Sequence, residues 1–222
     1  METCSKRNNG RTALEKRVDR VFTALHTTVR DRKAIKAFLA PLRNKDAITH
    51  EHYLHSLRVG LMAEQIGRFM HLDSKALFYA GLLHDIGKCQ TPLAVLGKKG
   101  AWTQADAEAI KVHVIDSYRM IRDRFGFTAE IVLLHHIFQA FGYPSVLPPF
   151  LREYREGAKV MIKLCGYLLA VADVYDAYHR DDKVAGKRRT GRAIRAGMLK
   201  HFPDQRKLVE DLYGAGILTI FS

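Results

Sequence analysis

With 222 residues, 47% of them hydrophobic and 27% charged, the chain has the composition of one globular domain, or of one domain with an appendage. Lys and Arg number 36 against 23 Asp and Glu, and the resulting net charge of +13 favours an anionic substrate or partner such as nucleotide, nucleic acid or acidic lipid. Three scattered cysteines, Cys4, Cys89 and Cys165, exclude a disulfide framework and a thiolate zinc site. The longest apolar stretch, Val160 to Tyr178, is broken by Lys163, Asp173 and Asp176, which argues against a membrane span. The N-terminal residues lack the apolar core of a signal peptide, so the cytoplasm is the expected compartment.

In chain order almost every extended segment reads as helix. Thr12 with Glu15 has the spacing of a capping box, followed by Leu14, Val18, Val21, Phe22, Leu25 and Val29 at helical intervals. Pro41 is expected to close a second, short helix. A long helix is predicted from about Thr49 to Phe69 and another from about Ser74 to His84. Thr103 should cap a helix over roughly Gln104 to Phe125, stopped by Gly126 in a left-handed cap. Further helices are predicted at Thr128 to Phe138, Ala158 to His179, Arg192 to His201 and Gln205 to Tyr213. Phe141 to Pro149 reads as an irregular loop and Gly186 to Gly191 as a basic one. No alternating strand pattern of useful length is present, so the fold class is all-α. The division expected is a basic N-terminal helical extension over 1–45 and a main domain over 46–222.

The residues that carry chemistry sit on the apolar helices. His84 and Asp85 end the buried run Ala80 to Leu83, with Gly87 freeing the backbone to turn and Lys88 one turn further on. An imidazole beside a carboxylate suits a hard or borderline divalent metal, and an ammonium nearby suits the anion that such a metal holds. Glu51 and His55 are four residues apart on one helix face. His113 lies mid-helix between Val112 and Val114, the pair His135 and His136 follows Ile131 to Leu134, and Asp173 is embedded in Leu168 to Val174 with Asp176 one turn on. Taken singly, each would more often be a hydrogen-bonded core residue. Five apolar helices each offering a His or an acid fit a metal site built inside a helical bundle better. His26, His50, His52, His71, His179 and His201 receive no role.

The order of these motifs resembles the HD superfamily of metal-dependent phosphohydrolases, and within it is similar to the HD-GYP group, whose known members hydrolyse cyclic dinucleotides. The resemblance rests on His55-Ser56-Leu57-Arg58-Val59, on Ala80 through Lys88, and on Pro92, Leu96, Lys98, Thr103 and His113. It continues through His135-His136, Gly142-Tyr143-Pro144 and Val171 through Ala177, covering roughly residues 48 to 215. It implies an HD-domain helical bundle in which Glu51, His55, His84, Asp85, His113, His135, His136 and Asp173 ligate two or three divalent metal ions. Asp85 would bridge, and Lys88 would hold substrate phosphate. Histidine with carboxylate and no thiolate fits iron or manganese best. Two such ions lower the pKa of a bridging water, giving a hydroxide to attack phosphorus.

This chain also departs from the family pattern. Ile137 stands where a Glu follows the double His, the Asp-Gly before Gly-Tyr-Pro has no counterpart, and the insertion Ser145 to Gly157 is expected to reshape the mouth of the site. The basic pair that the family places after its last aspartate is displaced, leaving Arg180 and Lys183 as the substrate-binding candidates. The expected function is hydrolysis of a nucleotide-type phosphate ester, with a phosphorylated small molecule as partner, a cyclic dinucleotide among the candidates and no membrane. Two alternatives stay open. One is a non-catalytic signalling or binding module, and the other is a metal-dependent nuclease using Lys187 to Arg192, although no aromatic residues interleave that basic loop.

Overall fold

The computed structural model describes residues 12–43, 46–139, 142–179 and 189–219. Arg180, Lys183, Lys187 and Arg188 lie outside the described residues. All regular structure among those described is helical. The helices are α1 (Ala13–Ala24), α2 (Val29–Arg43), α3 (Ala47–Phe69), α4 (Ser74–Leu83), α5 (Leu93–Leu96), α6 (Gln104–Ile121), α7 (Gly126–Leu134), α8 (Glu156–His179), α9 (Gly191–His201) and α10 (Arg206–Gly214). A short 3₁₀ turn, Ile86–Gln90, links α4 to α5. No helix among the described residues is long and apolar enough to cross a membrane.

Helices α3, α4 and α8 form the centre of the bundle. Met62 and Ile66 of α3, Leu77 and Leu82 of α4, and Leu168 and Leu169 of α8 are completely buried. The α3–α4 pair packs with backbones nearly touching, because both residues at the crossing are glycine. A Cβ on Gly81 would lie 2.6 Å from Gly60 Cα, closer than side-chain carbons ever approach. Helices α1 and α2 lie on this centre, with Phe22 meeting Phe78 edge-on at 5.1 Å and Ile35 and Leu42 fully buried.

Local chemistry sets the helix ends. The capping box of Thr12 and Glu15 forms, and a second one closes around Thr103 and Asp106. Asp46 caps α3 by accepting from the N–H groups of Ile48 and Thr49. Four boundaries differ from the sequence expectation, the first being that α1 ends at Ala24 and Val29 opens α2. Pro41 lies inside α2, which runs on to Arg43, since a proline so near the end forfeits little of the hydrogen-bond ladder and buried Leu42 holds the last turn in place. Helix α6 stops at Ile121, and Gly126 opens α7 instead of capping α6. Helix α7 in turn ends at Leu134, short of Phe138. Beyond it the backbone tightens into i to i+3 bonds, with Ile137 N–H donating to Leu134 O at 3.0 Å and Gln139 N–H to His136 O at 3.2 Å.

Candidate metal centre

Five segments deliver the cluster. Helix α3 brings His55, the end of α4 brings His84 and Asp85, α6 brings His113, the turn after α7 brings His135 and His136, and α8 brings Asp173. All seven are buried. They form three overlapping groups able to hold a metal: Asp85 with His113, His135 and His136; His55 with His84 and Asp85; and His84 with His135 and Asp173. Glu51 stands apart. Its side chain is 46% exposed, and its carboxylate accepts from Arg58 Nη2 at 2.7 Å.

The imidazoles are oriented by what holds their far nitrogen. His84 Nδ1 lies 2.9 Å from Gly81 O and His135 Nδ1 2.6 Å from Val132 O, while His113 Nδ1 bonds Ile110 O. A carbonyl can only accept, so each Nδ1 carries the proton and each Nε2 points inward. His55 Nδ1 is anchored instead on Asp176 Oδ2 at 2.7 Å, giving a carboxylate–histidine pair whose Nε2 faces the cluster. Asp176 is in turn gripped by Arg58 through Nε at 2.7 Å and Nη2 at 3.0 Å.

Within the cluster, His113 Nε2 lies 3.1 Å from Asp85 Oδ1, and His55 Nε2 lies 3.1 Å from Asp173 Oδ1 and 3.2 Å from His84 Nε2. Such spacing suits donors sharing an ion at about 2.1 Å. His135 Nε2 and His136 Nδ1 are buried with no hydrogen-bond partner among the described residues, and buried nitrogens left this way are costly unless a ligand completes them.

The electrostatics agree with the donor chemistry. Burial would raise Asp85, but the His84 and Lys88 charges hold its carboxyl well below the usual range. Asp173 is likewise held low, against burial, by hydrogen bonds from His55 and His84. Burial would lower His84, yet Asp85 and Asp173 raise it to about 10. Two buried carboxylates therefore demand positive charge at this point, which is what a divalent ion supplies. Burial and neighbouring histidines hold His135 well below the ordinary value, and burial takes His136 to about 4, so both imidazoles are neutral near pH 7.

Three supporting features were not assigned from the sequence. Asp176 and Arg58 were visible as polar residues one turn from predicted ligands, but only the crossing of α3 and α8 makes them partners. Tyr143 of the Gly-Tyr-Pro segment stacks on His136, ring centroids 4.4 Å apart and planes within 18°. His201, given no role, lines the same cleft as Lys88, His136 and Asp173, and no local pattern marks it.

Two expectations are corrected. Gly87 is not needed for an unusual backbone angle, since it has no positive φ. A Cβ there would lie 2.2 Å from His113 O and 2.7 Å from Ser117 N, so the 3₁₀ turn must run against the α6 backbone without a side chain, and its N–H donates to Ser117 Oγ at 2.8 Å. The Ser145 to Gly157 insertion does not line the cleft. Glu130 midway along α7 accepts from Leu151 N–H at 2.7 Å, and Tyr154 packs on Phe127 and Phe150, which ties the insertion to the middle and first turn of α7.

Lys88 Nζ donates to Asp85 Oδ2 at 2.5 Å and borders the cleft. Ile137 packs half-buried against the hydrophobic core.

Comparison with known proteins bears on this geometry. A cyclic di-GMP phosphodiesterase of Pseudomonas aeruginosa is 32% identical over 150 residues, covering 64% of this chain and 33% of the relative. A 3'3'-cGAMP-specific phosphodiesterase of Vibrio cholerae is 31% identical over 138 residues, 60% of this chain and 30% of the relative. A cyclic di-GMP phosphodiesterase of Thermotoga maritima is 30% identical over 172 residues, 74% of this chain and 43% of the relative. The chain thus spans less than half the length of these curated relatives. The crystal structure of the L. monocytogenes phosphodiesterase PgpH HD domain matches in fold with a TM-score of 0.50 at 18% identity, covering 82% of this chain and 86% of that one. The HD domain family matches residues 53–178, which hold all seven clustered ligand candidates and Lys88, and the chain belongs to that family.

Proposed function

We propose that this chain is a metal-dependent phosphohydrolase acting on a nucleotide-type phosphate ester. The observation that carries the reading is the convergence of five imidazoles and two carboxylates, with His135 Nε2 and His136 Nδ1 buried without a hydrogen-bond partner among the described residues. The donor set of nitrogen and carboxylate oxygen without thiolate supports two or three divalent ions, iron or manganese in preference to zinc. Bound there, such ions supply an activated water and neutralise phosphoryl charge.

The protein's own residues do the rest. Asp85 offers one oxygen toward His113 and the other toward His55, His84 and Lys88, so a single carboxylate serves two of the ligand groups. With Asp85 holding an ion, the Lys88 ammonium at the cleft wall would be available to donate to substrate phosphate, a contact that would strengthen as negative charge builds. Tyr143 closes one side of His136 and keeps its ring from turning. Asp176 holds the His55 tautomer, and Arg58 holds Asp176.

The relatives are named as cyclic dinucleotide phosphodiesterases, which supports nucleotide phosphate as the substrate class and makes cyclic dinucleotide hydrolysis the second reading. The simpler ester is preferred because Ile137 turns into the core where the family pattern has an acid, and because the cleft is small. Elemental analysis after reconstitution with iron or manganese, followed by turnover of AMP, phenyl phosphate and cyclic di-GMP, tests the reading. Fewer than one ion per chain, or no hydrolysis of any ester by the loaded protein, sinks it.

A further inference from the structure

The cleft beside the metal cluster has a second end beyond the clustered side chains. Its volume is about 270 Å³, just under the roughly 300–1,000 Å³ of typical small-molecule sites. Lys88, His136 and Asp173 border one end, and Tyr178, Arg189 and His201 the other. Asp173 and Tyr178 are five residues apart on α8, about 7.5 Å along the helix axis, which leaves room for a sugar between the two ends. Arg189 and His201 lie beyond residue 178, where the family match stops.

The second end is built from flat groups. The Arg189 guanidinium carbon sits 4.8 Å from the Tyr178 ring centroid. Its position is set by the start of α9, where Thr190 caps the helix by accepting from Ala193 N–H at 3.2 Å. His201, the last residue of α9, stands edge-on to Tyr178 at 6.5 Å and rests on Phe202 at 4.8 Å. Its Nε2 has no hydrogen-bond partner among the described residues. Gln139, also in the lining, uses its amide nitrogen on Asp173 Oδ2 at 3.3 Å, which turns its carbonyl into a spare acceptor.

Planar cations and aromatic rings stack on heterocycles, and unpaired imidazole and guanidinium edges read their ring nitrogens and carbonyls. A second phosphate would need only charge, and the ring framework around Arg189 would be superfluous. We propose that Tyr178, Arg189 and His201 form a base-reading wall, so that the ligand matched to this cleft is a nucleoside monophosphate with its phosphate at the metal cluster and its base on the wall. The inference rests on the phosphohydrolase reading for the placement of the phosphate. An aryl phosphate has no sugar to carry its ring across to the wall and no ring polar atoms to satisfy His201, and a cyclic dinucleotide carries two bases into a space sized for one.

The test is calorimetric binding to the full chain loaded with metal, using AMP, GMP and phenyl phosphate as probes and comparing wild type with Arg189→Ala, His201→Ala and His201→Gln. Losing one base contact should weaken AMP and GMP binding about tenfold in each Ala variant. His201→Gln, which returns an amide near the Nε2 position, should recover most of that loss. Phenyl phosphate affinity, metal content and melting temperature should stay at wild-type values, and exposed Arg189 can be removed without touching the core. Equal weakening for all three probes, unchanged nucleotide binding in both Ala variants, or no nucleotide binding by the wild type overturns the proposal. The two readings separate cleanly. If the loaded protein binds AMP through Arg189 and His201 yet cleaves no ester, the hydrolase reading fails and the wall stands. If it cleaves AMP and phenyl phosphate with no response to either variant, the wall alone fails.

Discussion

Replacing Asp176 by Asn keeps the shape of a fully buried side chain while removing its charge, and so separates what Asp176 does for His55 from the space it fills. The carboxylate accepts from His55 Nδ1, Arg58 Nε and Arg58 Nη2 at once. An amide presents one oxygen, so either His55 or Arg58 loses its acceptor. If the NH₂ faces His55, the ring must move its proton to Nε2 and the inward lone pair disappears. Burial would raise Asp176, but His55 and Arg58 bring it to about 2 from the ordinary 3.8, which corresponds to roughly 2 kcal/mol at pH 7. Because the folded value is the lower one, this stabilisation is complete above about pH 4 and is lost as the pH falls toward 2. Urea unfolding of the metal-stripped protein should show Asp176→Asn less stable by about that amount at pH 7, the gap closing at acid pH. Chelator competition should show metal affinity reduced about 10- to 100-fold, the usual cost of losing a group that orients a ligand. A variant with wild-type affinity and an unchanged urea midpoint at pH 7 would refute the argument.

Asp85→Ala should abolish phosphatase activity and lower the metal content together, whereas Lys88→Ala should lose activity and keep its metals; the reverse pattern in elemental analysis would mean the two roles are misassigned. Gly87→Ala forces a methyl group against the His113 carbonyl, so the thermal melt should fall by the equivalent of about 1–3 kcal/mol, and an unchanged melt would show that the α6 contact yields easily. In a side-by-side turnover assay, cyclic di-GMP should be hydrolysed more slowly than AMP, and efficient selective cleavage of the cyclic dinucleotide would favour the second reading over the first.

What the sequence made legible was whatever repeats at helical spacing or caps a helix. Thr12, Thr103 and the apolar faces of α3, α4 and α8 were readable because period and cap chemistry are local properties. His55, His84, Asp85, His113, His135, His136 and Asp173 were readable for the related reason that polar side chains on otherwise apolar faces must meet partners somewhere. Glu51 shared the spacing of His55 but not its burial, and its carboxylate accepts from Arg58, seven residues on and on the same side of α3, a pairing that no spacing rule ranks. The boundaries that failed did so where tertiary contact overrode a local signal. Pro41 was carried inside α2 by buried Leu42, and Gly126 became the first residue of α7 instead of the stop of α6. Gly87 was flagged as special for the wrong reason, because close backbone approach and unusual φ look identical in a sequence.

The same distinction governs the cleft. Its metal end is written in short motifs, since a ligand pair on one turn and a neutral imidazole pair on another must be near in sequence to be near in space. The far end is assembled by the return of α9 against α8, which brings His201 within reach of Tyr178 across 23 residues, and such long-range pairing leaves no periodic trace. Chemistry common to a family can be carried in the first kind of signal, while the choice of what is bound falls to the second.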